Sequence, residues 1–200
     1  MSMIQLGPCQ RLQPRRWGLH RTGPVAVLKE EVKMPNPMDM ICSECGAACS
    51  KDEVVVIDDQ HICRQCLYGD VPPVQIYPIG FVRNQLERDD TDFGTKGKAE
   101  RSRIELFPSQ KRFMYRLEEE RDITVVYYLH QARPVRSTFK RGLDGKEVGV
   151  FASRTPDRLS RIGIQDVRLV GVENTTLIVE GLDAINGTPL LDIKMKWSRK

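Results

Sequence analysis

The sequence predicts a mainly β protein, in which an antiparallel sheet curls into a barrel behind a small cysteine-rich hairpin module and a proline-rich N-terminal tail. Three observations carry this expectation. From Ile76 to Met195, short runs of β-branched and aromatic residues recur between Gly, Pro, Asn and Asp turns, the pattern of hairpin following hairpin. Only Ser109 to Arg121 reads as a helix, with Phe113 and Leu117 on one face. Upstream stand two C-x-x-C pairs, Cys42/Cys45 and Cys63/Cys66, with 17 residues between them.

Residues 1–40 contain five prolines and no acidic residue before Glu30, so no strand or helix period survives and a disordered tail is expected. The module at 41–70 follows. Its cysteine spacing is that of a structural zinc site: each knuckle holds a metal from one side, and two knuckles close a tetrahedron. Cys42, Cys45, Cys63 and Cys66 are the expected ligands; Cys49 and His61 stay outside a set already complete. Val54 to Ile57 and Gln60 to Cys63 read as two strands about a turn, giving a zinc-ribbon-like hairpin that draws its folding energy from the metal. Four thiolates also suit iron.

Asp70-Val71-Pro72-Pro73 is a stiff connector, because two prolines cannot join a ladder, and the main domain is expected over 74–200. Strands are expected at Ile76 to Arg83, Arg103 to Phe107 and Ile123 to His130, the last nearly continuous in apolar character and therefore central. Leu86 to Arg101 reads as a long polar loop. Val135 to Arg141 and Lys146 to Phe151 flank Asp144-Gly145, a two-residue hairpin signal. Ile164 to Val172 sets Gln165, Val167 and Leu169 on one face and Ile164, Asp166 and Arg168 on the other. Leu177 to Gly181 and Leu190 to Met195 complete the sheet, with Asn186-Gly187 as another hairpin-turn signal.

Composition and motifs narrow the function. No apolar run reaches membrane-spanning length, so a soluble, cytoplasmic protein is expected, and a net charge of +4 permits a nucleic-acid partner without requiring one. There is no glycine-rich phosphate loop, no G-x-G-x-x-G after a strand and no legible Ser-His-Asp arrangement, which argues against P-loop and Rossmann-type enzymes. What remains is polar groups at strand ends: His130 and Gln131, the loop around Arg154, and the turn from Asp183 to Asp192. Arg133, Arg136, Lys140 and Arg141 form a basic run that fits phosphates, and Tyr127 or Tyr128 offers a ring to a base.

The same segments carry a resemblance. Ile79-Gly80-Phe81-Val82-Arg83, Arg103 to Pro108, Leu129-His130-Gln131, Gly149 to Pro156, Ile162-Gly163-Ile164 and Gly187 to Lys194 are together similar to the TsaA-like (TrmO) family of S-adenosylmethionine-dependent tRNA methyltransferases. The resemblance implies a TsaA-like β-barrel, a homodimer, and N6-methylation of threonylcarbamoyladenosine beside the tRNA anticodon. It implies that His130, Gln131, Arg154, Ile164, Asn186, Gly187, Thr188 and Pro189 bind S-adenosylmethionine. Asp192, on the last strand, is the candidate proton acceptor, with an ion pair to Arg154 or Lys194 as its structural alternative. Where the family carries Arg-Pro-Asn-Pro-Ile-Gly, this chain has Arg158-Leu159-Ser160-Arg161-Ile162-Gly163, and a different loop shape is expected. Two other readings fit the residues: a non-enzymatic adaptor that keeps S-adenosylmethionine as a ligand, and a methyltransferase for a substrate other than tRNA.

Overall fold

The computed structural model describes residues 39–88, 100–142 and 144–197. The expected tail, apart from its last two residues, and most of the long polar loop lie outside the described residues. The chain divides into two compact units between Pro72 and Pro73.

The first unit is built on two small hairpins. β1 (Met40–Ile41) pairs with β2 (Ala48–Cys49), and β3 (Val54–Ile57) pairs with β4 (Gln60–Cys63), which runs directly into the short helix α1 (Arg64–Tyr68). The expected strand, turn and return strand are therefore present. Asp58 and Asp59 make the two-residue turn with φ of 49° and 64°, the left-handed pair that a type I′ hairpin requires and that aspartate tolerates. With so few apolar side chains enclosed, this unit has little core beyond Ile62 and its cysteines.

The second unit is a closed six-stranded barrel. Its strands are β5 (Gly80–Arg83), β6 (Arg101–Leu106), β7 (Asp122–Tyr128), β10 (Ile162–Glu173), β11 (Thr176–Glu180) and β12 (Pro189–Met195). They close in the order β10-β11-β6-β5-β12-β7, every neighbouring pair antiparallel. Period-two alternation fills the interior: Ile123, Val125 and Tyr127 from β7, Val167 and Leu169 from β10, and Leu177 and Val179 from β11 are all buried. Each aliphatic side chain so buried contributes about 1.5–3 kcal/mol. β7 lies between β10 and β12, the central place its apolar run predicts.

Several expectations are corrected. Ser109 to Arg121 is not an α-helix. It forms two 3-10 turns, Pro108–Phe113 and Leu117–Glu119, broken at Arg116, whose φ of 60° is left-handed. The side chain that reaches the core is Met114, while Phe113 is 75% exposed, because the tight 3-10 period replaces the α-helical face. The first barrel strand begins at Gly80 rather than Ile76. The hairpin β8 (Thr138–Lys140) with β9 (Glu147–Gly149) pairs outside the barrel, and its loop is longer than two residues, closed by the Arg141 amide donating to the Lys146 carbonyl. Beyond Gly149 the strand gives way to a 3-10 turn, Val150–Ala152. Asn186-Gly187 turns the chain, but β11 and β12 are not neighbours, so it is no hairpin turn.

Candidate functional site

At the barrel end where β7 finishes, strand ends and one loop enclose a cavity of about 550 Å³. Tyr127 and Leu129 come from β7 and the residues just after it, Ile162 to Gln165 from the start of β10, Asp183 from the β11–β12 connection, and Ser153, Arg154, Thr155, Pro156 and Arg158 from the loop before β10. Each wall has a local cause. Arg158 holds the loop by donating from Nε to the Thr155 carbonyl at 2.9 Å and from Nη2 to the Ser153 carbonyl at 2.8 Å, which leaves Arg154 exposed at the rim. Gln165 fastens the β11–β12 connection: its amide nitrogen donates to the Gly181 carbonyl and its oxygen accepts from the Asp183 amide at 2.9 Å. The Tyr127 hydroxyl, buried between them, lies 3.3 Å from the Asp183 carbonyl and 3.5 Å from the Gln165 side-chain oxygen. Its ring rests against Gly163, where a Cβ would lie only 2.4 Å from Cε2.

The cavity carries both signs of charge. Burial pushes the Tyr127 phenol up to about 12; the Asp183 carboxylate adds to the rise and the Arg154 guanidinium opposes it. Asp183 and Arg154 are therefore both within electrostatic reach of one hydroxyl, which stays protonated at neutral pH.

On the β12 side of the same strand end, His130 faces the turn at Gly187, its Nε2 lying 4.0 Å from where a Cβ on that glycine would be. The Gln131 amide nitrogen is 3.3 Å from His130 Nε2. His130 Nδ1 is buried without a hydrogen-bond partner among the described residues. Burial lowers the His130 pKa, so the ring is neutral at pH 7. The turn is held by the barrel: Gly187 donates to the Val82 carbonyl at 2.8 Å, Val82 donates to the Thr188 carbonyl at 2.9 Å, and Asn186 donates to the Leu86 carbonyl at 2.9 Å. Thr188 is buried and Pro189 pairs with Phe81.

Of the expected cofactor residues, Arg154 and Ile164 line the cavity, while His130, Gln131 and the Asn186 to Pro189 turn are not among its lining residues, His130 instead facing Gly187. Asp192 stands apart from the lining residues. It sits opposite Val126, with its carboxylate 2.6 Å from Lys194 Nζ and accepting from the Ile193 amide at 2.8 Å. Tyr127 is a buried wall rather than a stacking surface, and Tyr128 is the more open ring. Of the basic run, Arg141 is engaged by Asp144. Sequence reasoning missed Arg158 and Gln165, while Asp183, at the start of the polar turn it singled out, does line the cavity. Gln165 had a signal: it is a polar side chain on the same face as buried Val167 and Leu169, and a polar group in such a place needs partners.

The first unit holds a second candidate site. The sulfurs of Cys42, Cys45, Cys63 and Cys66 all lie within 4.8 Å of one another, with Cys42 to Cys66 and Cys45 to Cys63 each at 3.9 Å. A tetrahedral metal at about 2.3 Å from each sulfur sets them roughly 3.8 Å apart, so the set fits one ion. The backbone prepares the thiolates: Cys63 donates to the Cys42 sulfur at 3.3 Å and Cys66 donates to the Cys63 sulfur at 3.4 Å. Burial alone raises the Cys42 pKa, yet the amides of Cys63, Cys45 and Glu44 together bring it down to about 6. Burial pushes Cys49 up to about 11, and its thiol bonds to the Ala47 carbonyl at 3.6 Å, which keeps it out of the set.

With this geometry in view, residues 92–198 match the family model described as the tRNA-methyltransferase O N-terminal domain. The chain belongs to the TrmO family. It is 37% identical over 123 residues to a "Probable S-adenosyl-L-methionine-binding protein" of Methanothermobacter thermautotrophicus, a match covering 60% of this chain and 88% of that protein. It is 31% identical over 97 residues to the human tRNA (adenine(37)-N6)-methyltransferase, covering 47% of this chain and 22% of the human one. Its fold is like that of TrmO from Pseudomonas aeruginosa, with a TM-score of 0.51 at 29% identity over 63% of this chain and 57% of that one. The chain spans less than two thirds of the length of most of the TrmO-family relatives it matches.

Proposed function

We propose that the barrel is an S-adenosylmethionine-dependent methyltransferase that modifies N6 of adenine in tRNA, acting on the threonylcarbamoylated adenosine beside the anticodon. The observation that carries this reading is the cavity at the end of β7, walled by Tyr127 and Gln165 and flanked by Arg154 and Asp183. Its volume is in the range that holds a cofactor-sized ligand. S-adenosylmethionine fits the site, since its carboxylate suits Arg154 and the buried His130 Nδ1 beside the Gly187 turn has no partner of its own among the described residues. When bound, it supplies an electrophilic methyl group.

The chain's own residues do the rest. Arg158 and Gln165 fix the loop and the connection, so Arg154 and Asp183 are preorganised rather than recruited. The lone pair of an exocyclic adenine amine is delocalised into its ring, so a nearby base must take a proton as the new bond forms. We assign that role to Asp183, on the cavity wall, in place of Asp192, which is tied to Lys194. The Gly187 turn leaves room beside His130. Cys42, Cys45, Cys63 and Cys66 hold a structural zinc ion in the same proposal, and the protein works as a cytoplasmic homodimer. Among the described residues no helix is long and apolar enough to cross a membrane.

The test is transfer of labelled methyl from S-adenosylmethionine to bulk tRNA, with nucleoside analysis of the product. The wild type is expected to yield methylated threonylcarbamoyladenosine, and Arg154→Ala to lose at least tenfold in kcat/KM. Cofactor binding without any labelled tRNA would overturn the tRNA assignment and favour a different substrate.

A further inference from the structure

The segment between β6 and β7 is used by neither site, and it has an unusual surface. Lys111-Arg112-Phe113-Met114-Tyr115-Arg116 lies across the two 3-10 turns. Met114 is 6% exposed and joins the barrel core, and Leu117 packs against that core. Anchoring Met114 inward turns its two neighbours outward: Phe113 is 75% and Tyr115 is 88% exposed. The backbone between them is held, with Met114 donating to the Lys111 carbonyl at 3.2 Å and Leu117 donating to the Met114 carbonyl at 3.0 Å. Lys111 Nζ donates to the Asn174 carbonyl at 2.7 Å, which ties the turn to the β10–β11 hairpin. The backbone that carries the two rings is thus hydrogen-bonded and anchored to the barrel.

The charge around the rings decides what they fit. Lys111, Arg112 and Arg116 interleave with the two rings, and the acidic run Glu118-Glu119-Glu120 begins only after Leu117. Arg116 is engaged by Glu119 at 2.6 Å, and Lys111 and Arg112 are exposed, Lys111 while donating to the Asn174 carbonyl. Open aromatic faces interleaved with cations are what a single-stranded nucleic acid uses: bases stack on the rings and phosphates meet the cations. A protein partner would favour a larger apolar surface with less charge at its centre.

We propose that Phe113 and Tyr115, with Lys111 and Arg112, form a stacking platform for single-stranded RNA, separate from the reacting cavity. The segment leads into β7 at Asp122, and none of its residues is among those lining the cavity. It rests on the tRNA reading only in taking the strand to be part of that substrate. Its effect is on holding RNA, not on methyl transfer itself.

The test measures binding of a labelled, unstructured 12-nucleotide RNA to the full chain, without S-adenosylmethionine, by fluorescence anisotropy. Phe113→Ala/Tyr115→Ala is expected to bind about tenfold or more weakly with an unchanged salt slope, because stacking is lost and no phosphate contact is. Phe113→Tyr/Tyr115→Phe restores binding, and Arg112→Gln lowers the slope by about 0.7. Thermal melts confirm that these exposed substitutions leave the fold intact. Wild type that binds no RNA, or an alanine variant that binds as wild type does, overturns the proposal. So does a loss of affinity that tracks dissociation of two copies in light scattering, which makes the surface a protein interface. If wild type methylates no tRNA yet the alanine variant still loses RNA binding, the methyltransferase reading fails and the platform stands.

Discussion

Gly163→Ala tests whether the cavity wall is held as described. The added methyl would lie 2.4 Å from Tyr127 Cε2 and 2.6 Å from Cζ, against 3.4 Å for ordinary contact, so the ring must retreat by about 1 Å. It has nowhere easy to go. The hydroxyl lies 3.3 Å from the Asp183 carbonyl, and the same retreat stretches that contact beyond hydrogen-bond range. Overpacking of this kind together with a stranded buried hydroxyl costs roughly 2–4 kcal/mol. At about 3 °C per kcal/mol for a unit of this size, the barrel should melt roughly 6–12 °C lower, read by differential scanning calorimetry. S-adenosylmethionine binding should weaken in parallel, because Gln165 and Asp183 share the displaced contacts. In a Tyr127→Ala background the same glycine substitution should cost almost nothing. An unchanged melting temperature in Gly163→Ala, or an undiminished effect in the Tyr127→Ala background, would refute the reasoning.

Two further predictions follow from the titratable groups and the thiols. Burial holds the His130 pKa below 6.5, so the unfolded chain takes up its proton more readily than the folded one. Stability is therefore full above that value and declines as pH falls through it, and His130→Gln should flatten the change in urea midpoint between about pH 7.5 and pH 5.5. A metal-release assay should find one equivalent of zinc per chain, and a strong chelator or Cys63→Ser should abolish the first unit's folded signal in circular dichroism while the barrel transition persists, since metal binding supplies about 10 kcal/mol or more to such modules. Two separate metal equivalents, or a first unit that stays folded without metal, would contradict the four-thiol site.

Much of this protein was legible from local pattern. The two C-x-x-C pairs announce a knuckle pair because the ligand spacing is itself the constraint, and the chain brings all four sulfurs together. The strands of the barrel show as period-two alternation, which needs only one buried face to be visible, and Arg154 lies on the cavity because loops at strand ends are where polar groups collect, whereas Ile164 was marked only by the family resemblance. The 109–121 segment misled, since its apolar spacing suits a helix while the chain breaks at the left-handed Arg116 and anchors Met114 in the core instead of Phe113. Nothing in the local pattern marks Arg158 as the brace of the Arg154 loop, because its partners are backbone carbonyls, which every residue has.

What the sequence determined by itself is the set of short-range facts: ligand spacing, strand periodicity, turn residues and the absence of the familiar phosphate-loop and triad motifs. Only the tertiary structure decided which distant pieces meet. β5 closes against β12 across more than a hundred residues, Gly163 admits the Tyr127 ring, and Gln165 clamps the connection that places Asp183. The reason is physical. Periodicity and propensity act along the chain and are written in neighbouring residues, whereas barrel closure and close packing depend on the shapes of side chains far apart in sequence.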